Sequence, residues 1–195
     1  DKLEIEQQTN YPWEGSVTLK IEKVPKKEFS IFIRIPGWSK GSTIKINGED
    51  FNGKIVSGSY SELNRKWKKS DVIEIDIPMP VKLMQANPLV EETKSQVAVK
   101  RGPIVYCLET ADLPVEASIS NITLDVDSEF STEKFNLKGR KVVAVKGKAF
   151  VEDTDWNKAL YKPLNRDKKQ IDIQLVPYFS WGNRTDGEMT VWMPY

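Results

Sequence analysis

FSIFIRIPGW, residues 29–38, sets Phe29, Ile31, Ile33 and Ile35 at every second position and then breaks at Pro36-Gly37. Side chains along a β-strand alternate between its two faces, so these four share one face and the pattern predicts a half-buried strand rather than a helix. Further along, Ile44 and Ile46 repeat the period and run into Asn47-Gly48. That dipeptide suits a tight hairpin because both residues tolerate positive φ, and Phe51 is expected to open the returning limb. Ile73, Ile75 and Ile77 alternate with Glu74 and Asp76 before Pro78, giving a further strand with one wet face. Clean strands this closely spaced predict a sandwich.

Beyond Pro88 the pattern continues with Val97, Ala98 and Val99, a turn at Arg101-Gly102-Pro103, and the apolar run Ile104 to Leu108. The run reads as a buried strand, with Cys107 in the core. Ile122, Leu124 and Val126 alternate, Val142 to Val151 forms a hairpin candidate around Gly147, and Ile171, Ile173 and Leu175 repeat the period. The last strand is expected at Glu188 to Met193. A weak helical stretch near Asn157 to Tyr161 is too short to be more than a connector. With 195 residues the chain exceeds what one small sandwich needs. The expected fold is therefore all-β, as two small antiparallel β-sandwich lobes at residues 1–90 and 91–195. The boundary falls within 86–96, where Pro88 and a polar run separate the patterns, and the closing segment 171–195 is free to return to the first lobe.

Composition excludes several function classes. The 29 basic and 28 acidic residues leave a net charge of +1, so no whole-molecule field draws in nucleic acid or an anionic membrane. Basic clusters at Arg65, Lys66, Lys68 and Lys69, and at Arg166, Lys168 and Lys169, sit beside turn residues, where charge serves solvation. One cysteine allows no internal disulfide and no thiolate zinc cage, and the absence of histidine removes the usual general base and every histidine triad. No apolar run approaches the roughly 20 residues of a bilayer span, and the amino terminus lacks signal-peptide regions. The compartment stays open.

Glycosidases need two carboxyl groups about 5–10 Å apart across a cleft. Glu91 with Glu92 and Asp153 with Asp155 are the obvious pairs, but both lie in polar, loop-like stretches where adjacent acids simply hydrate. Asp153, Asp155 and Asn157 also match the opening of a calcium loop, yet Lys158 stands at its glycine position and Leu164 at its closing glutamate. The expectation is no metal and no cofactor in this segment. The six tryptophans carry more weight, because flat indole faces stack on sugar rings. Trp13 follows Pro12 in a turn, and Trp38 follows Pro36-Gly37 at a strand end. With Trp181, they are the candidates for carbohydrate contact or an interdomain seam. The sequons at Asn121 and Asn183 are taken as chance.

Tyr11-Pro12-Trp13, Arg34-Ile35-Pro36-Gly37-Trp38, Asn47-Gly48, Trp67 with Asp71, and Pro78-Met79 occur in order. Arg101-Gly102-Pro103 with Val105-Tyr106 and Glu109, Pro177-Tyr178, Trp181-Gly182-Asn183-Arg184, and Met189 to Trp192 follow. Together they resemble the carboxy-terminal region of glycoside hydrolase family 127, which includes bacterial β-L-arabinofuranosidases. Ser70 stands where the family commonly has glycine, and Lys82 where it commonly has arginine. The resemblance implies an upstream helical (α/α)6 barrel carrying the chemistry, with zinc held by cysteine thiolates and a glutamate. None of that machinery is carried onto Cys107. The implied function is a non-catalytic β-sandwich region that braces the absent barrel, its partner in the same polypeptide, with a homodimer contact left open. The alternative is a carbohydrate-binding module using the loop-borne tryptophans.

Overall fold

The computed structural model describes residues 2–152, 159–163 and 168–195. It divides into two compact units, Asp1–Pro80 and Val81–Tyr195. The first contains β1 (Glu4–Thr9), β2 (Ser16–Lys23), β3 (Phe29–Arg34), β4 (Thr43–Ile46), β5 (Glu49–Asp50), β6 (Tyr60–Arg65) and β7 (Val72–Asp76). A five-stranded sheet in the order β1-β2-β7-β4-β5 packs against the β3–β6 pair. Ile33 and Ile35 of the opening motif enter the core beside Ile21, Ile44, Leu63 and Ile73, while Phe32 and Arg34 face outward. Trp67 is core as well, its indole N–H donating to the Phe29 carbonyl at 3.1 Å and its ring lying 5.2 Å from the Arg65 guanidinium.

Asn47 and Gly48 adopt φ of 54° and 83°, as the hairpin reading requires, and Phe51 continues the pairing through its N–H to the Ile44 carbonyl at 2.9 Å. The same Asn47 clips this hairpin to the turn before β7. Its amide donates to Asp71 at 3.0 Å and its oxygen accepts the Val72 N–H at 2.8 Å, while Asp71 also takes the Lys68 N–H at 2.8 Å. Burial pushes the Asp71 pKa up, but the Asn47 and Lys68 N–H donors, with Arg65 and Lys68 charge, outweigh it and hold the carboxyl below its ordinary value.

The second unit contains β8 (Val81–Gln85), β9 (Gln96–Arg101), β10 (Ile104–Glu109), β11 (Ile122–Leu124), β12 (Ser131–Leu137), β13 (Arg140–Val151), β14 (Lys169–Pro177), β15 (Met189–Thr190) and β16 (Trp192–Pro194). These form one nine-stranded antiparallel sheet with the path β11-β13-β14-β10-β9-β16, while β12, β15 and β8 pair with β13, β10 and β9. The sheet curls into a half-barrel, which brings β11 at one end of the path against β16 at the other. The expected all-β, antiparallel character holds in both units. Pro88 marks the boundary in the sequence, whereas the structure divides the chain at Pro80, because Val81 to Gln85 pair with Arg101 to Val97. The closing segment stays in the second unit, with β14 on β13 and β16 on β9.

Two local expectations change. β13 runs unbroken through Gly147, and the hairpin turn lies earlier, at Lys138 (φ 46°) and Gly139 (φ 85°). Gly147 is required by a close approach instead: a Cβ there would come within 2.6 Å of the Phe130 ring. The last strand is split at Val191 into β15 and β16, which serve different neighbours. The connector near Asn157 to Tyr161 lies partly outside the described residues, as do the Asp153–Asp155 pair and the calcium-like stretch containing them.

Ser70 has φ 71°, the left-handed region where a Cβ costs about 1–2 kcal/mol and glycine fits without that cost. Glycine's own chain entropy offsets part of the gain. Ser70→Gly should therefore raise stability by about 0.5–1 kcal/mol and Ser70→Val should lower it, read from urea midpoints. Asp71 is depressed in the fold, so its contribution is full above its unfolded pKa of about 3.9 and disappears as pH falls through the lower folded value. Asp71→Asn should destabilise at neutral pH and flatten the acid limb of a stability–pH profile.

Candidate functional site

The densest polar arrangement among the described residues lies in the second unit, where β10 ends at Glu109 and a 3-10 turn, Thr110–Asp112, follows. Across from them the segment after β14 turns at Tyr178–Ser180 and leads into Trp181-Gly182-Asn183-Arg184. Arg184 donates from Nε to Glu109 at 2.9 Å and from Nη1 to Asp112 at 2.7 Å, and its Nη2 bonds both carboxylates. The Gly182 N–H supplies Glu109 at 2.7 Å and the Gln174 amide supplies Asp112 at 2.9 Å. The Phe135 ring lies 5.8 Å from the guanidinium carbon. The Arg184 pKa is raised, chiefly by its hydrogen bond to Asp112 and then by that to Glu109. With both carboxylates bonded to one guanidinium, the cluster clamps the segment after β14 to the end of β10.

Sequence motifs contain Glu109 and Arg184, but nothing in their spacing signals the contact, and Asp112 and Gln174 carry no motif at all. The clamp holds an exposed aromatic turn. Trp181 is 46% exposed, Tyr178 46% and Phe179 64%. The other two predicted contact residues lie in the first unit and are half-buried, with Trp38 packed against the core. Trp13 and Trp38 therefore present less ring to solvent than Trp181 does.

A shallow groove of about 390 Å³ opens in the first unit over Val17 and Leu19 of β2, Ile75 and Ile77, with Phe32 and Arg34 of β3 at its side. Among its lining residues only Arg34 is charged, so it offers no pair of groups for general acid–base work. Glu91 and Glu92 stand exposed on a 3-10 turn. Every described carboxylate with a resolved shift moves down: Glu22, Asp71, Glu116 and Glu152. A glycosidase acid needs the opposite shift.

Cys107 is buried on β10, its thiol directed at the Val176 carbonyl at 3.6 Å. Burial, followed by the Glu109 and Asp112 charges, pushes its pKa up to about 12. Zinc needs thiolate, imidazole or carboxylate ligands grouped in space, and the described residues contain no such cluster of metal-ligating side chains. Cys107 does not fit the metal.

Residues 81–194 match the glycoside hydrolase family 127 C-terminal domain. The chain belongs to glycoside hydrolase family 127. Residues 1–79 match the β-L-arabinofuranosidase middle domain of the same family, so the two matches meet where the structure divides. A non-reducing end β-L-arabinofuranosidase of Bifidobacterium longum subsp. longum is 33% identical, over 97% of this chain and 30% of its own length. A solved glycoside hydrolase superposes with a TM-score of 0.92 at 45% identity, over 98% of this chain and 32% of its own. A family 127 β-L-arabinofuranosidase of Geobacillus stearothermophilus T6 gives 0.90 at 34% identity, over 98% of this chain and 30% of its own. This family 127 chain thus spans about a third of the length of the relatives it matches.

Arg184→Ala leaves two carboxylates buried without their cation and should destabilise the second unit by about 3–5 kcal/mol, measured by chemical unfolding. Cys107 should resist iodoacetamide at mildly alkaline pH in the folded chain and react promptly once the chain is unfolded.

Proposed function

We propose that the two units form a non-catalytic β region of a longer family 127 hydrolase, bracing a catalytic domain that precedes them in the same polypeptide. The observation that carries this reading is the electrostatic state of the carboxylates. Those with resolved shifts are held ionised by lysines or amide donors, and the buried pair Glu109 and Asp112 is consumed by Arg184. Retaining and inverting glycosidases alike require one carboxylic acid kept protonated beside a second group poised for attack.

The length relation points the same way, since the matched relatives have about two thirds of their chains outside this region. The activity named for the Bifidobacterium longum relative, release of β-L-arabinofuranose from a non-reducing end, is the reaction we assign to the longer protein. Its zinc chemistry, implied by family resemblance, belongs to the preceding domain.

The test compares this chain with a polypeptide extended upstream to the relatives' length, both assayed on an aryl β-L-arabinofuranoside. Hydrolysis is expected from the extended protein alone. Turnover by the isolated chain, abolished by no upstream deletion, overturns the non-catalytic assignment. Bracing further predicts that removing the two β units speeds thermal inactivation of the extended enzyme while leaving its substrate preference unchanged.

A further inference from the structure

We propose that the turn Tyr178–Trp181 is a glycan-contact platform that takes a neutral oligosaccharide of two or more rings on the faces of Tyr178 and Trp181. The turn is a 3-10 segment closed by the Trp181 N–H on the Tyr178 carbonyl at 3.2 Å. Tyr178 opens the turn and Trp181 closes it, so the hydrogen bond between their backbones holds the two residues at its two ends. Each residue is 46% exposed. Two solvent-open aromatic rings carried at the two ends of one short turn offer flat faces for stacking on the rings of a glycan.

Rigidity separates this pair from an ordinary surface aromatic. The buried Ser180 hydroxyl donates to the Pro177 carbonyl at 2.6 Å, and the Asn183 amide caps the Ser180 carbonyl at 2.9 Å. The Gly182 N–H and the Arg184 guanidinium then fasten the following residues to Glu109 and Asp112. A ligand meeting rings already fixed in place pays little ordering entropy. In the same segment the Tyr178 hydroxyl, the Asn183 amide oxygen and the Asp186 carboxylate engage no other group among the described residues and are available to sugar hydroxyls.

Charge and area select the class of ligand. Arg184 is saturated by its two carboxylates and Asp186 is negative, so the site favours a neutral ligand over an anionic one. Two half-exposed aromatics present on the order of 200 Å², whereas a stable protein contact buries about 800 Å² on each partner. The platform is sized for a few sugar rings. This assignment does not depend on the bracing role.

The experiment titrates the 195-residue chain, labelled with 5-fluorotryptophan, with linear arabino-oligosaccharide to millimolar concentration, with xylo- and gluco-oligosaccharides alongside. The Trp181 resonance, assigned by its loss in Trp181→Phe, is expected to shift saturably while that of buried Trp67 stays fixed. Tyr178→Ala should weaken the apparent affinity several-fold to about tenfold without moving the thermal midpoint, whereas Trp181→Phe retains most of the binding measured by calorimetry. A Trp181 resonance that stays flat with all three sugars overturns the proposal. So does a Trp181 that is shielded from a soluble paramagnetic reagent in the upstream-extended protein, since protein then covers the platform.

Discussion

Arg184 sets one guanidinium against two carboxylates inside a unit whose other buried side chains are nearly all apolar. In such surroundings an unanswered charge is far more costly than a lost contact, so geometry at this point is not negotiable. β10 must end where Glu109 can face the guanidinium, and the chain must turn at once to bring Asp112 to the same place. The segment after β14 must double back within a few residues to deliver Gly182 and Arg184. Beyond it, Thr110 and Glu188 exchange hydrogen bonds at 3.0 and 3.1 Å, which sets Met189 and Thr190 on Glu109 and Leu108. The clamp therefore fixes both the edge of the sheet and the attitude of the aromatic turn.

How much of this was legible in the sequence depended on which side chains carried the pattern. Isoleucines alternating in residues 29–35, 44–46 and 73–77 gave away their strands because each has one dry face. β1, β6 and β12 escaped because their sequences are mostly polar; in β6 the inward face holds Ser61, fully buried and bonded to the Lys54 carbonyl, where a strand pattern expects an apolar residue. β2 carries the same alternation in Val17, Leu19 and Ile21. Gly147 misled because a glycine inside a strand serves close packing as readily as a turn. The boundary was misplaced for a related reason: Pro88 is a strong local breaker, but β8 before it is committed to β9 by long-range pairing that no window of sequence reveals.

The candidate site divides along the same line. Trp181 was identifiable by residue type, and its exposure on a turn is what the type alone could not give. Trp13 and Trp38 look equivalent to it in sequence but are half buried in the first unit. Glu109, Asp112, Gln174 and Arg184 are ordinary polar residues until the fold gathers them across more than sixty positions. The one cysteine, by type the most reactive side chain here, is silenced by its surroundings.

β10 shares its six residues among three neighbours: Arg101 and Lys100 at its start, Val176 and Pro177 at its middle, Thr190 and Met189 at its end. During synthesis the first unit has all its strands, and the pairings within it, once residue 80 has emerged. The second unit is completed later, because β10 stays two-thirds unpaired until residues 169–190 arrive, and β9 waits longer still for Trp192 to Pro194. A nascent chain therefore exposes the apolar face of β10 for the whole interval in which some eighty residues are added. The second half of the molecule folds only after translation of this region is all but finished, so shielding by a chaperone matters most over that interval.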